Sequence, residues 1–365
     1  MIFYANILYQ NYIIKSFHKF PEPVAKKLRK ALYFTNTDLQ PQEAMKFYRQ
    51  ALQVAEELEM DPFSDEIMGV KIQIAKLCED VRAYPKAIQV LEILRNDSLE
   101  FLKQFGDLEH NKVKRTRVLG KVVAITNKLG ELYARPEIYD RETAEERLVW
   151  AVETTLKEQQ RRNNIQEAEK MSDEQMSEIY GQWMTASEIG AALESLAHNY
   201  EEKDQHYLAA PLFLQALSLY PTPDCHSVVL MGNLASALAQ QSPRAAAIAQ
   251  QYASSQSITN PTPSQNSSSP STVSRERMIL NARTWAQKAL DVAAGIQPPA
   301  RNEECDVGCA VATHNLGEFA EMLKDVDGAR RKYEEALSLS RAIGFQDGVE
   351  MSEERLRALG QSKAG

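Results

Sequence analysis

Histidine and cysteine are the side chains of this 365-residue chain best suited to metal or nucleophilic chemistry, and their spacing supports neither. The six histidines include no His-Glu-x-x-His pair, and His198 and His206 stand eight residues apart across a helix end, not on one face. Cys305 and Cys309 are one helical turn apart, but no second such pair exists to make a twin arrangement. With Cys78 and Cys225 they are too few and too scattered for a disulfide framework. The expectation for all four is a structural or incidental role. There is no glycine-rich phosphate loop and no Gly-x-Ser-x-Gly elbow. Carboxylates such as Glu142, Glu145 and Glu146 recur at the spacing of a solvated helix face. The chain is therefore expected to be non-enzymatic, with no catalytic residue, cofactor or metal.

Charge narrows the partner class. Fifty acidic against 42 basic residues give a net charge of −8, which argues against nucleic acid, since phosphate binding needs a basic face. Two basic clusters stand out locally: Lys26, Lys27, Arg29 and Lys30, and Lys112, Lys114, Arg115, Arg117 and Lys121. Each reads as a solvated helix face, and the first also as a lipid-headgroup contact.

The elements that must position any binding residues are helices. Leu193, Leu196, Ala197, Tyr200, Ala209, Phe213, Ala216 and Pro221 occupy nearly every signature position of a tetratricopeptide (TPR) helix pair. Its small residues let two antiparallel helices approach, and its aromatics and leucines fill the space between them. Leu316, Gly317, Ala329, Tyr333 and Ala336 repeat the same register, with twelve residues from Gly317 to Ala329 as from Ala197 to Ala209. Weaker second-helix cores are Ala44, Tyr48 and Ala51; Ala87, Leu91 and Leu94; Ala144, Leu148 and Ala151; and Ala282, Ala286 and Ala289. The fold expected is all-α, a TPR-like right-handed superhelical solenoid of about six helix pairs.

The steps between second-helix alanines (44, 87, 144, 209, 282, 329) are 43, 57, 65, 73 and 47 residues, all longer than the standard unit of about 34. The polar stretch from Glu158 to Glu178 is expected to be a prolonged helix end plus a loop. The fifth pair is split: a first helix near Val228 to Gln240, a second near Arg275 to Ala294, and between them a Ser/Thr/Asn/Pro tract over 254–274. That tract has too few apolar residues to offset its ordering entropy, so it is expected to be a disordered loop within the solenoid of residues 21–365. Asp347 to Leu359 is expected to be a polar capping helix.

In a TPR unit the first helix lines a groove. The positions that face it here are Asn127 and Glu131; Glu194, His198 and Glu201; and His314, Asn315 and Glu318. The chaperone-binding type holds a terminal carboxylate with lysine and asparagine at the fifth and ninth positions. This chain has Ile72 and Lys76, Asn127 and Glu131, and Glu194 and His198 there, so such a clamp is not expected.

Residues 1–20 are apolar and aromatic without an acid, yet too short and too polar to span a bilayer, which needs about 20 mostly apolar residues. They fit an extra helix on the first pair, an interfacial segment, or the remnant of a membrane anchor. The blocks from Phe20 to Leu52, Asp61 to Ala75 and His314 to Glu350 resemble a fungal family of mitochondrial inner-membrane TPR proteins that serve as adaptors of the i-AAA protease. The resemblance implies a protein-quality-control adaptor facing the intermembrane space. Its partners would be the i-AAA protease and its unfolded substrates, with membrane association through the amino terminus. The alternative is a soluble, cytoplasmic TPR scaffold for cargo or complex assembly.

Overall fold

Where each helix begins follows from local chemistry. Proline stands in the first turn at Pro23, Pro41 and Pro85, where its missing N–H costs nothing. Elsewhere a short polar side chain accepts the orphan amide three residues on: Ser64, Asp140, Ser172, Thr185, Asp224, Ser274, Asn302 and Asp325. The computed structural model describes residues 19–220, 222–245 and 274–361. Outside them lie Pro221, most of the apolar amino-terminal segment, and the Ser/Thr/Asn/Pro tract up to residue 273.

The chain forms two compact units, Met1–Trp183 and Met184–Gly365. The first contains α1 (Glu22–Asn36), α2 (Pro41–Glu57), α3 (Asp65–Asp80), α4 (Tyr84–Phe105), α5 (Lys112–Ala134), α6 (Arg141–Glu169) and α7 (Asp173–Tyr180). The second contains α8 (Ala186–Glu202), α9 (His206–Ser218), α10 (Cys225–Gln240), α11 (Arg275–Gly295), α12 (Glu303–Met322), α13 (Val326–Ile343) and α14 (Gln346–Gln361). No strand occurs among the described residues. The fold is all-α and TPR-like: α1/α2, α3/α4 and α5/α6 pack as pairs in the first unit. In the second, α8/α9, α10/α11 and α12/α13 do so, with α14 against α13.

The alanine register locates the core. Every second-helix triad, from Ala44, Tyr48 and Ala51 through Ala329, Tyr333 and Ala336, is buried, with no member more than 2% exposed. Small residues on the first helices admit these side chains. A Cβ on Gly317 would come within 2.7 Å of the Tyr333 ring, and one on Gly130 would collide with Leu148. Ala197 at the same register position is also fully buried. The aromatic at the centre of each strong pair, Phe213 or Tyr333, is worth about 3–5 kcal/mol against truncation to alanine.

Two expectations change. The polar stretch from Glu158 to Glu178 begins as the prolonged helix end expected, with α6 running to Glu169, but the loop expected after it is a helix: Ser172 with Gln175 makes a capping box that starts α7. This segment packs against α5, and its Met176 is buried. Its charges are internal, with Glu158 taking Arg115 at 3.1 Å and Arg161 at 2.6 Å, and Arg162 donating to the Gly181 carbonyl. Secondly, Cys225 and Cys305 are not scattered. The caps Asp224 and Asn302 put each in the first turn of α10 and α12, both are buried, and a disulfide joins them across 80 residues of sequence. Cys78 and Cys309 are free thiols.

The polar helix expected over Asp347 to Leu359 is α14. It packs through Gly348, Ser352 and Leu359, while Met351 is exposed.

Candidate functional site

Each unit presents one first-helix face with ligand-binding character. In the first unit, α3 and α5 flank a cleft of about 370 Å³. Its floor is apolar, made of Ile72, Ala75, Leu91 and Ile125, and its rim is charged, with Lys76, Glu79, Asp80 and Lys128. Lys128 ties the two helices together, reaching Glu79 at 3.0 Å and Glu131 at 3.4 Å. Glu131 also accepts from the Asn127 amide at 3.3 Å. The groove residues expected on α5, Asn127 and Glu131, are not among those lining the cleft; they adjoin Lys128, which is. A floor of this size between charged edges fits one or two apolar side chains of an extended segment, with its polar backbone left toward water.

In the second unit the groove positions of α8 join two residues that position counting did not find. Glu194 accepts from His226 Nε2 on α10 at 3.0 Å and lies 3.5 Å from His198 Nε2. His198 Nδ1 reaches Glu201 at 3.1 Å, and His226 Nδ1 reaches Glu304 on α12 at 2.6 Å. The result is one alternating polar chain, Glu304, His226, Glu194, His198, Glu201, running over three successive first helices. Burial pushes the Glu194 carboxyl up, but hydrogen bonds from His198 and His226 outweigh it and hold the group at about 2. Burial disfavours the charged form of His198, yet bonds to Glu194 and Glu201 raise it to about 9. His226, bonded to Glu194 and then Glu304, is likewise raised to about 9. At neutral pH two imidazolium groups therefore sit between three carboxylates.

His314 and Asn315 correct the groove reading. Both are buried, at 5% and 8% exposure. His314 hydrogen-bonds Ser352 of α14 at 3.1 Å and lies against the Tyr333 ring, while Asn315 donates to the Gly232 carbonyl of α10. They hold neighbouring helices together and meet no solvent groove, because α14 packs over this end of α12. Burial lowers the His314 pKa, with Arg355 adding to the effect. Glu318 remains partly accessible on the border of a cleft of about 520 Å³ with His206, Tyr207 and Arg275, and burial raises its carboxyl.

His226 and Glu304 escaped the sequence because α12 begins about two turns ahead of its TPR register, which brings its first turn beside that of α10. The available signal was cap spacing: Asp224 and Asn302 fix both starts, and with them Cys225 beside Cys305.

Helix pairs of this kind make a scaffold that binds proteins, and no enzyme family is indicated. The chain is similar to a TPR repeat-containing protein of Schizosaccharomyces pombe, 27% identical over 344 residues, covering 91% of this chain and 77% of the relative. The crystal structure of BtubC (BKLC) from P. vanneervenii aligns over 88% of this chain and 91% of that one, with a TM-score of 0.49 and 13% identity. No protein-family model matches the chain.

Proposed function

We propose that this protein is an adaptor of mitochondrial protein quality control. It holds unfolded segments of inner-membrane or intermembrane-space proteins and presents them to the i-AAA protease. The observation that carries the binding half is the α3–α5 cleft, whose apolar floor and mixed-charge rim suit exposed hydrophobic side chains in an unfolded client without demanding one sequence. The resemblance of the Phe20 to Leu52 block to the i-AAA adaptor family supports the protease as the destination. The Cys225–Cys305 disulfide supports an oxidising compartment over the reducing cytosol, and so favours this reading over a cytoplasmic scaffold.

The test has two arms. Affinity purification of the tagged protein from detergent-solubilised mitochondria should recover the i-AAA protease, and absence of the protease from clean preparations refutes the destination. Placing aspartate at the two accessible apolar lining positions, Ile72→Asp with Ala124→Asp, should weaken photocrosslinking to an unfolded client peptide at least about tenfold while leaving the melting temperature near wild type, as expected for charging the apolar floor. Unchanged crosslinking refutes the cleft.

A further inference from the structure

The two basic clusters of the sequence meet opposite fates. In α5 every cation is neutralised: Lys112 by Glu109 at 2.5 Å, Lys114 by Asp61 at 2.7 Å, Arg115 by Glu158 at 3.1 Å, and Lys121 by Asp65 at 3.1 Å, with Arg117 at 3.6 Å from the same Asp65. In α1, Arg29 pairs with Glu22 and Lys27 donates to Gln50 at 2.8 Å. Lys26 and Lys30 have no acidic partner among the described residues.

Their placement is regular. α1 buries Val24, Ala25, Leu28 and Ala31, so Lys26, Lys30 and Tyr33, at i, i+4 and i+7, form a stripe on its opposite face. Tyr33 is 51% exposed and Leu39 just beyond the helix 61%. Behind the lysines runs an aromatic ribbon: Tyr33 meets Phe34 edge-on at 5.3 Å, and Phe34 stacks on Phe47 of α2 at 5.7 Å. The ammonium groups of Lys30 and Lys46 both lie over the Phe47 ring, at 5.2 and 5.8 Å. Between Lys19 and Arg49 stand seven basic and three acidic residues, in a chain whose net charge is −8.

We propose that this outer face of α1 and α2 docks on the anionic headgroups of a lipid bilayer. Unpaired lysines beside tyrosine, phenylalanine and leucine match the headgroup boundary, where charge and amphipathic rings are both accommodated. In the sequence, the acid-free apolar residues 1–20 directly precede α1. The inference concerns a different surface from the client cleft and stands apart from the protease reading.

Vesicle co-sedimentation of the full chain tests it. Binding should be stronger to phosphatidylcholine–phosphatidylserine vesicles than to phosphatidylcholine alone and should weaken with salt. The double variant Lys26→Gln/Lys30→Gln should lose about 30-fold in affinity for the anionic vesicles, taking each lysine as worth about fivefold. A control, Lys157→Gln/Lys332→Gln, removes two lysines that have acidic partners elsewhere and should bind as wild type. The proposal is overturned if the first variant binds like wild type, if the control loses as much, or if pure phosphatidylcholine is bound equally well. Capture of an acidic peptide in preference to anionic vesicles would also overturn it.

Discussion

Replacing Cys225 and Cys305 by serine removes a cross-link that closes a loop of 80 residues. In the chain-entropy treatment such a link lowers the entropy of the unfolded chain by about 15 cal/mol/K, which is about 4.5 kcal/mol at room temperature. That is of the order of a whole domain's stability, so the second unit of the double variant should lose most of its resistance to denaturant. The assay is urea unfolding followed by circular dichroism, with wild type and variant each measured with and without reductant. Reductant should bring the wild type down to the variant and leave the variant unmoved. The same proteins give a direct count, because unfolded, unreduced wild type should titrate two thiols, those of Cys78 and Cys309, and four after reduction. The single variant Cys309→Ser, which leaves the link intact, should keep wild-type stability to within about 1 kcal/mol. Four titratable thiols before reduction, or a wild type indifferent to reductant, would refute the reasoning.

Further outcomes follow from the packing and the charge chain. Gly317→Ala places a methyl group 2.7 Å from the Tyr333 ring and should destabilise by about 1–3 kcal/mol of overpacking. Gly69→Ala in α3 meets nothing within 4 Å and should gain up to about 1 kcal/mol of helix propensity. Opposite signs in thermal melts check the pair. Because His198 and His226 are raised from 6.5 to about 9, their contribution is complete below pH 6.5 and lost as pH climbs through 9. Glu194, lowered from 4.5 to about 2, contributes above pH 4.5 and loses that contribution as pH falls through 2. The second unit should thus be steadiest between those limits, and a His226→Ala/His198→Ala variant should lack the alkaline decline in a melting-temperature profile.

Much of this was legible because a TPR pair writes its contacts into residue size. Ala209, Phe213 and Ala216 recur at fixed offsets only if a helix crosses them closely, and Gly317 is small because Tyr333 fills the space a Cβ would need. Even the split fifth pair kept Ala282, Ala286 and Ala289 in register, and Ser274 marks where its second helix resumes. What stayed hidden depends on neighbours outside that period. The segment after Glu158 looks solvated by composition, yet Arg115, forty-three residues earlier, makes burial of Glu158 tolerable.

The groove positions show the same limit. Counting along the motif places His198 and His314 one turn apart, at its ninth and fifth positions, on equivalent first-helix faces. They part company because α14 stands against α12 and offers Ser352 to the His314 ring. The ring that gains a hydroxyl and a tyrosine is desolvated and kept neutral, whereas the ring flanked by Glu194 and Glu201 is held charged. Equivalent faces of the repeats therefore share their packing against the second-helix aromatic, His198 on Phe213 and His314 on Tyr333, while the charge state of each ring is set by its other neighbours. A reading of this chain's partners has to begin from the faces that stay open after that, which are the α3–α5 cleft, the acidic-imidazole chain and the lysine stripe of α1.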